Sequence, residues 1–333
     1  VTIGMAENRP RVAFVFPGQG SQTLGMGHGL YKQSSAAQEV WRAADASGNE
    51  LLTSRVFDGV AESLRSTDVQ QPAIVATSIA ALAAFNEELG FEHGFVGSGY
   101  PINVAVFAGH SVGLVSALVG AGCTPIDEAV ALVRDRGRYM AAAARDKPGR
   151  MAAVLGLDVV AVEDLVASIR RRIPGSYLSI ANVNSPQQVV VAGDLLAIDQ
   201  VVNEGRESGA RRVIPLDVSG AFHSIAMFPA RESMRKRLVA VGIDAPIAPV
   251  LSNVDATELT TPSEIRAELA DHIVAPVRWL DGAKKIETMG VKHVVEFGHG
   301  SVLTGMLRRT VKEVELHNVS DVESARSVAG ILT

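Results

Sequence analysis

The chain has 333 residues, 47% of them apolar and 20% charged, with a formal net charge of −5 at pH 7. That length is enough for one large core or two moderate ones, and the acidic balance gives no electrostatic footing for nucleic acid or an anionic membrane. A single cysteine, Cys123, excludes an internal disulfide and fits a reducing cytoplasm. In chain order, residues 1–9 read as a frayed terminus with no signal peptide, and Arg11 to Phe16 as a buried strand. The glycine-rich turn Pro17-Gly18-Gln19-Gly20-Ser21-Gln22 breaks that strand, and Pro72 is expected to open a long helix reaching Leu89. A second apolar strand, Val104 to Ala108, feeds Gly109-His110-Ser111-Val112-Gly113 and then an apolar helix over Val115 to Val119. A helix from about Ile126 to Ala144 carries Arg134, Arg136 and Arg138.

The middle of the chain changes rhythm. Met151 to Leu155, Tyr177 to Asn182, Gln188 to Ala192 and Arg211 to Pro215 read as strands, with helices over Val160 to Arg171 and Leu195 to Ser208. That order is βαββαβ, the ferredoxin-like arrangement, inserted into a larger body. Afterwards come a helix over Pro229 to Val241, a strand over Pro249 to Ser252 and two further helices. A strand over Lys292 to Phe297 and a helix over Gly300 to Arg309 complete the pattern. Strands alternating with helices argue for a mostly parallel, helix-covered sheet, so the fold class is α/β. No apolar run reaches the roughly 18 residues of a membrane span. The basic runs Arg170-Arg171-Arg172 and Arg308-Arg309 read as solvated helix ends that could also receive an acidic carrier protein.

A strand, Gly-x-Ser-x-Gly and a helix form the sequence signature of a nucleophile elbow, in which the glycines permit a tight turn and Ser111 is lifted clear of the sheet. The Val112 N–H then faces a developing oxyanion at a helix N-terminus. A serine hydroxyl is a weak nucleophile until a base takes its proton, and eight histidines compete for that task. His110 adjoins Ser111 and is read as a brace of the elbow. His28, His93, His293 and His317 sit in contexts of surface loops or helix ends, and His299 and His272 carry little weight on context alone. His223 lies in the aperiodic stretch Ser219-Gly220-Ala221-Phe222-His223-Ser224, at the return from the inserted piece, and is the favoured base. Cys123 reads as a small buried residue, and no cluster has the spacing of a metal site.

Five motifs in order carry a resemblance: Pro17-Gly18-Gln19-Gly20-Ser21-Gln22, Gln71-Pro72-Ala73, Gly109-His110-Ser111-Val112-Gly113, Arg136-Gly137 and Gly220-Ala221-Phe222-His223-Ser224. Asn182-Val183-Asn184-Ser185-Pro186-Gln187-Gln188, Ser252-Asn253-Val254-Asp255 and Pro276-Val277-Arg278-Trp279 extend it, so that it covers residues 11–318. The chain resembles the malonyl-CoA:acyl carrier protein transacylases. The resemblance implies Ser111 as nucleophile, His223 as base and then acid, and the main-chain carbonyl of His272 as the group that orients it. A main-chain role tolerates any side chain at position 272. Gln19 and the Val112 N–H resemble the oxyanion pair, Gln71 and Asn182 residues of the acyl pocket, and Arg136 the clamp on the free malonyl carboxylate. Phe222 before His223 resembles the malonyl-selective pattern, because a ring there fills the space that an α-methyl needs. His110 is counted with the substrate site.

Two departures stand out. Leu114 follows the elbow where the family usually has glutamate, and the segment Gly94 to Ile102 looks longer than in the fatty-acid enzyme. The expected architecture is an α/β-hydrolase-like large subdomain over residues 10–148 and 217–320, with a ferredoxin-like small subdomain over 149–216. The expected activity moves malonyl from coenzyme A to the phosphopantetheine thiol of an acyl carrier protein, in a cytoplasmic monomer with no metal, bound cofactor, nucleic acid or membrane partner. Rival readings are a hydrolase that strips acyl groups from carrier proteins, a transferase for α-substituted malonyl units, and a catalytically idle scaffold. Fatty-acid, polyketide and malonate-decarboxylase pathways all remain open to it.

Overall fold

The computed structural model describes residues 9–48, 50–91 and 100–333. His93 and most of the segment expected to be long, 94–99, lie outside the described residues. The described residues form ten strands: β1 (Arg11–Phe16), β2 (Asn103–Gly109), β3 (Arg150–Leu155), β4 (Leu178–Ser185), β5 (Gln188–Gly193), β6 (Arg212–Pro215), β7 (Val250–Leu251), β8 (Glu258–Leu259), β9 (His293–Phe297) and β10 (Glu315–Val319). They build two sheets, one ordered β10-β9-β1-β2-β7-β8 and one ordered β4-β5-β3-β6. The first is parallel except for the β7–β8 edge, and the second is antiparallel throughout. The fold is α/β with mixed sheets.

The apolar run of β1 explains its central place. Val12, Phe14 and Phe16 enter one core cluster while Ala13 and Val15 enter another, so helices cover both faces of the sheet. β3 divides in the same way: Met151 and Ala153 face the large core, whereas Ala152 and Val154 pack beneath the helices Val159–Arg172 and Leu195–Glu204. The four-stranded sheet therefore has one face on its own helices and one on the main body. Residue 149 onward runs β3, helix, β4, β5, helix, β6.

The long helix begins at Thr67 rather than at Pro72 and ends at Glu88, with Pro72 as its sixth residue. The proline forfeits one intrahelical hydrogen bond. Burial of the helix on nearly every side, from Gln70 through Asn86, offsets that loss. Three short helices, His28–Gln33, Ser35–Ala46 and Leu52–Phe57, precede it, and the chain continues past 320 into the helix Val322–Leu332. Ala325, Val328, Ala329 and Leu332 of that last helix join the same core as Phe14 and Phe85. Among the described residues no helix is long and apolar enough to cross a membrane.

Candidate active site

β2 delivers Gly109, and the helix Gly113–Gly120 starts four residues later. Ser111 between them has φ 52°, a left-handed conformation that costs a non-glycine residue about 1–3 kcal/mol. The strain thus sits on the serine itself. The flanking glycines serve close approach instead: a Cβ on Gly109 would lie 2.0 Å from the Gly113 carbonyl carbon, and one on Gly113 would lie 2.2 Å from the Phe16 oxygen. Asn253 holds the turn open. Its Oδ1 accepts from the Ser111 N–H at 2.9 Å and its Nδ2 donates to the Gly109 oxygen at 2.9 Å. The buried Glu268 carboxylate anchors that clamp by accepting from the Asn253 N–H and the Ser252 hydroxyl, each at 2.7 Å. Burial pushes the Glu268 carboxyl above its ordinary value. Sequence reasoning quoted Asn253 within a motif but gave it no task, and it missed Glu268, which nothing in the helix Pro262–Asp271 marks out before folding.

His223 Nε2 lies 2.8 Å from Ser111 Oγ, and His223 Nδ1 lies 2.7 Å from the main-chain oxygen of His272. A carbonyl only accepts, so Nδ1 carries the hydrogen and the Nε2 lone pair faces the serine hydroxyl. Burial first, and then the positive charge of Arg136, pull the His223 imidazole down to about 3, which keeps it neutral near pH 7. His272 is the residue after the helix Pro262–Asp271, and its side chain is fully engaged. His272 Nδ1 donates to the main-chain oxygen of Glu268 at 2.8 Å, leaving Nε2 to accept from Arg136 Nη2 at 3.1 Å. The expectation that any side chain would serve at 272 is corrected: this ring helps to hold the arginine.

Arg136 is 1% exposed. Nη1 donates to Gln71 Oε1 at 2.7 Å and Nη2 reaches Ser111 Oγ at 3.3 Å, while Nε has no partner among the described residues. Gly137 makes this approach possible, because a Cβ there would meet the Thr67 oxygen and Asp68 Cα at 2.6 Å where its helix, Ile126–Asp146, crosses the Gln71 helix. Every hydrogen-bond partner of the guanidinium is neutral, and no carboxylate pairs with it among the described residues. Burial pulls the guanidinium down to about 9, so it is still charged at neutral pH. An unpaired buried cation is costly, and an arriving anion relieves that cost.

A cleft of about 80 Å³ brings Gln19, His110, Ser111, Asn182, Phe222 and His223 together with Met151, Leu216 and Val218. Gln71, Arg136 and His272 do not line that cleft; they are buried behind Ser111, joined to it through the Arg136 guanidinium. His223 also borders a wider groove of about 440 Å³ lined by Arg170, Tyr177, Ile225, Val274 and Pro276. Gln19 Nε2 donates to Gln70 Oε1 at 2.7 Å, so its side chain is already committed. The Val112 N–H has no partner among the described residues. His110 Nε2 sits 2.8 Å from Asn184 Oδ1 of β4, a brace between the elbow and the smaller sheet. Asn182 lies where β4 bridges to Val277 of the main body.

The other singled-out residues lie elsewhere. His28 opens a short helix and stacks on Phe57. His293 and His317, expected in loops or helix ends, instead stand on adjacent strands. Strand pairing there assembles a possible ligand set that linear spacing did not reveal. Cys123 is buried, its thiol pushed up to about 12, and therefore unreactive. Leu114 is fully buried in the large core and does not line the cleft.

Residues 13–332 match the acyl transferase domain family. The malonyl CoA-acyl carrier protein transacylase of Bacillus subtilis is 38% identical over 94% of this chain and 95% of its own length. The Escherichia coli K12 protein of the same name is 36% identical over 90% and 92%. Among solved structures, the acyl-carrier-protein-S-malonyltransferase of Bartonella henselae superposes with a TM-score of 0.89 at 35% identity, covering 96% of this chain and 99% of that one. A malonyl-transacylase solved in complex with its type II PKS acyl-carrier protein also gives 0.89, at 32% identity with the same coverage. With the serine, histidine and arginine already in place, these likenesses show that the chain belongs to the acyl transferase family of the malonyl CoA-acyl carrier protein transacylases.

Proposed function

We propose that this protein moves a malonyl group from coenzyme A to the phosphopantetheine thiol of an acyl carrier protein through an ester on Ser111. The observation that carries the reading is Arg136: a buried guanidinium with only neutral partners, 3.3 Å from the nucleophilic oxygen. A malonyl thioester supplies the missing anion, and the planar guanidinium takes a carboxylate with two charge-assisted bonds. Gln71 and the His272 ring hold that plane in position.

His223 Nε2 takes the Ser111 proton as Oγ attacks the thioester carbonyl. The Val112 N–H and the main-chain N–H of Gln19 receive the oxyanion, and losing one such donor costs about 2.7–4 kcal/mol of barrier. When the C–S bond breaks, the thiolate of coenzyme A takes the proton back from His223. The carrier thiol then gives its proton to His223 and attacks the ester, and Ser111 Oγ leaves with that proton. Phe222 and Asn182 shape the acyl space, with Phe222 against an α-substituent. His110 holds the elbow to the smaller sheet. Arg170 at the rim of the wider groove suits an acidic carrier.

The reading takes residues 10–148 and 217–320 as an α/β-hydrolase-like subdomain and 149–216 as a ferredoxin-like one. The parallel sheet with its elbow and the βαββαβ order with strand order β4-β5-β3-β6 support it. A cytoplasmic monomer without bound cofactor completes it, and the single cysteine agrees with that compartment. Incubation with malonyl-CoA should give one malonyl adduct by intact mass, absent in Ser111→Ala, and a holo carrier protein should discharge it faster than water does. No adduct, or the same adduct in Ser111→Ala, would sink the mechanism. Discharge that ignores the carrier would favour the hydrolase.

A further inference from the structure

The edge strand β10 carries Glu315 and His317 two residues apart, on one face, and Glu315 stands in register with His293 on β9. His293 Nδ1 and His317 Nε2 are 3.1 Å apart, and Glu315 Oε2 lies 3.6 Å and 3.9 Å from them. The imidazole rings stack with centroids 5.3 Å apart. Their side chains are 13% and 12% exposed, whereas the Glu315 side chain is 70% exposed. No other group of three such side chains converges among the described residues. Metal bonds of about 2.0–2.1 Å at a tetrahedral angle place two ligand nitrogens roughly 3.3 Å apart, close to the spacing here.

We propose that His293 Nδ1, His317 Nε2 and the Glu315 carboxylate bind a divalent first-row transition-metal ion, with Zn²⁺ the best fit. Two imidazoles and one carboxylate suit zinc better than magnesium or calcium, which prefer oxygen alone. The fourth position falls on the solvent side with Glu315 and takes water. The site is remote from the chemistry: His293 and Glu315 begin their strands, while Ser111 follows the end of β2, which runs parallel to them through β1. Its task is to tie the edge strand to β9, and with it the helix Val322–Leu332 that follows.

The test uses the full chain, stripped with a chelator and titrated with Zn²⁺ against a chromophoric competitor. One equivalent should bind with a Kd of about micromolar or tighter, and Zn²⁺ should raise the Tm. Glu315→Gln, an exposed change that spares folding, should weaken binding about tenfold or more. His293→Ala with His317→Ala should abolish both the binding and the Tm shift while leaving the Ser111 malonyl adduct unchanged. Co²⁺ should give tetrahedral d–d bands lost in the same double variant. Binding no tighter than about 100 µM, or a full equivalent retained in the double variant and so held elsewhere, overturns the proposal.

Discussion

At the scale of single residues, burial and one buried charge act together on the site. Burial first, and then the Arg136 charge, keep His223 from protonating, so the acid limb of kcat/KM, which reports the free enzyme, should fall well below the ordinary imidazole value of about 6.5. Activity is lost only as pH drops through that depressed value. Arg136→Met should lower kcat/KM for malonyl-CoA about 10²–10³-fold, the worth of two charge-assisted bonds, and should move the acid limb upward. An acid limb that stays put in the variant would show that burial alone sets the histidine. Ser111 and His223 were legible from the glycine-bearing motifs around them, whereas Arg136, beside Arg134 and Arg138, stood out only through the family resemblance. The His272 ring was not legible, since its bond to Arg136 joins residues 136 positions apart across two helices.

Among elements, the crossing of the helices Thr67–Glu88 and Ile126–Asp146 decides whether Arg136 meets Gln71. Gly137→Ala gains about 1 kcal/mol of helix propensity but drives a Cβ against the opposing backbone. A net loss of about 1–2 kcal/mol in denaturant unfolding should result, with kcat/KM lowered about tenfold as the guanidinium is displaced. Unchanged kinetics would mean that the arginine does not depend on this approach. Most strands and the βαββαβ order were readable from apolar runs and turn residues. Of the three helices before Thr67, the six-residue His28–Gln33 and Leu52–Phe57 are too short to set a period, whereas Ser35–Ala46 does carry one, with Ala37, Val40, Trp41 and Ala44 on one face, and was passed over. The start of the long helix was misplaced because Pro72 is a strong local signal that packing overrides.

The molecule as a whole stores neutral histidines in its interior. His110, His223 and His272 are all lowered by burial from an unfolded value near 6.5. Their contribution is complete above about pH 6.5 and is lost as pH falls from there toward their folded values, at up to about 1.4 kcal/mol per pH unit for each. Glu268 and Glu296, raised by burial, act in the opposite sense: their contribution is complete below about 4.5 and is lost as pH rises through their folded values. Stability between pH 6.5 and 5 should therefore fall with acidification, and His110→Gln should flatten that slope. A slope unchanged in the variant would remove His110 from the account. Which strands pair was beyond the sequence, since order in a sheet follows from long-range packing. One helix, Pro262–Asp271, steadies both halves of the reaction: Glu268 fixes the serine backbone through Asn253, and the next residue but three offers His223 its carbonyl. Nucleophile and base thus take their positions from a single common support, and the distance between them is referenced to one element rather than to two.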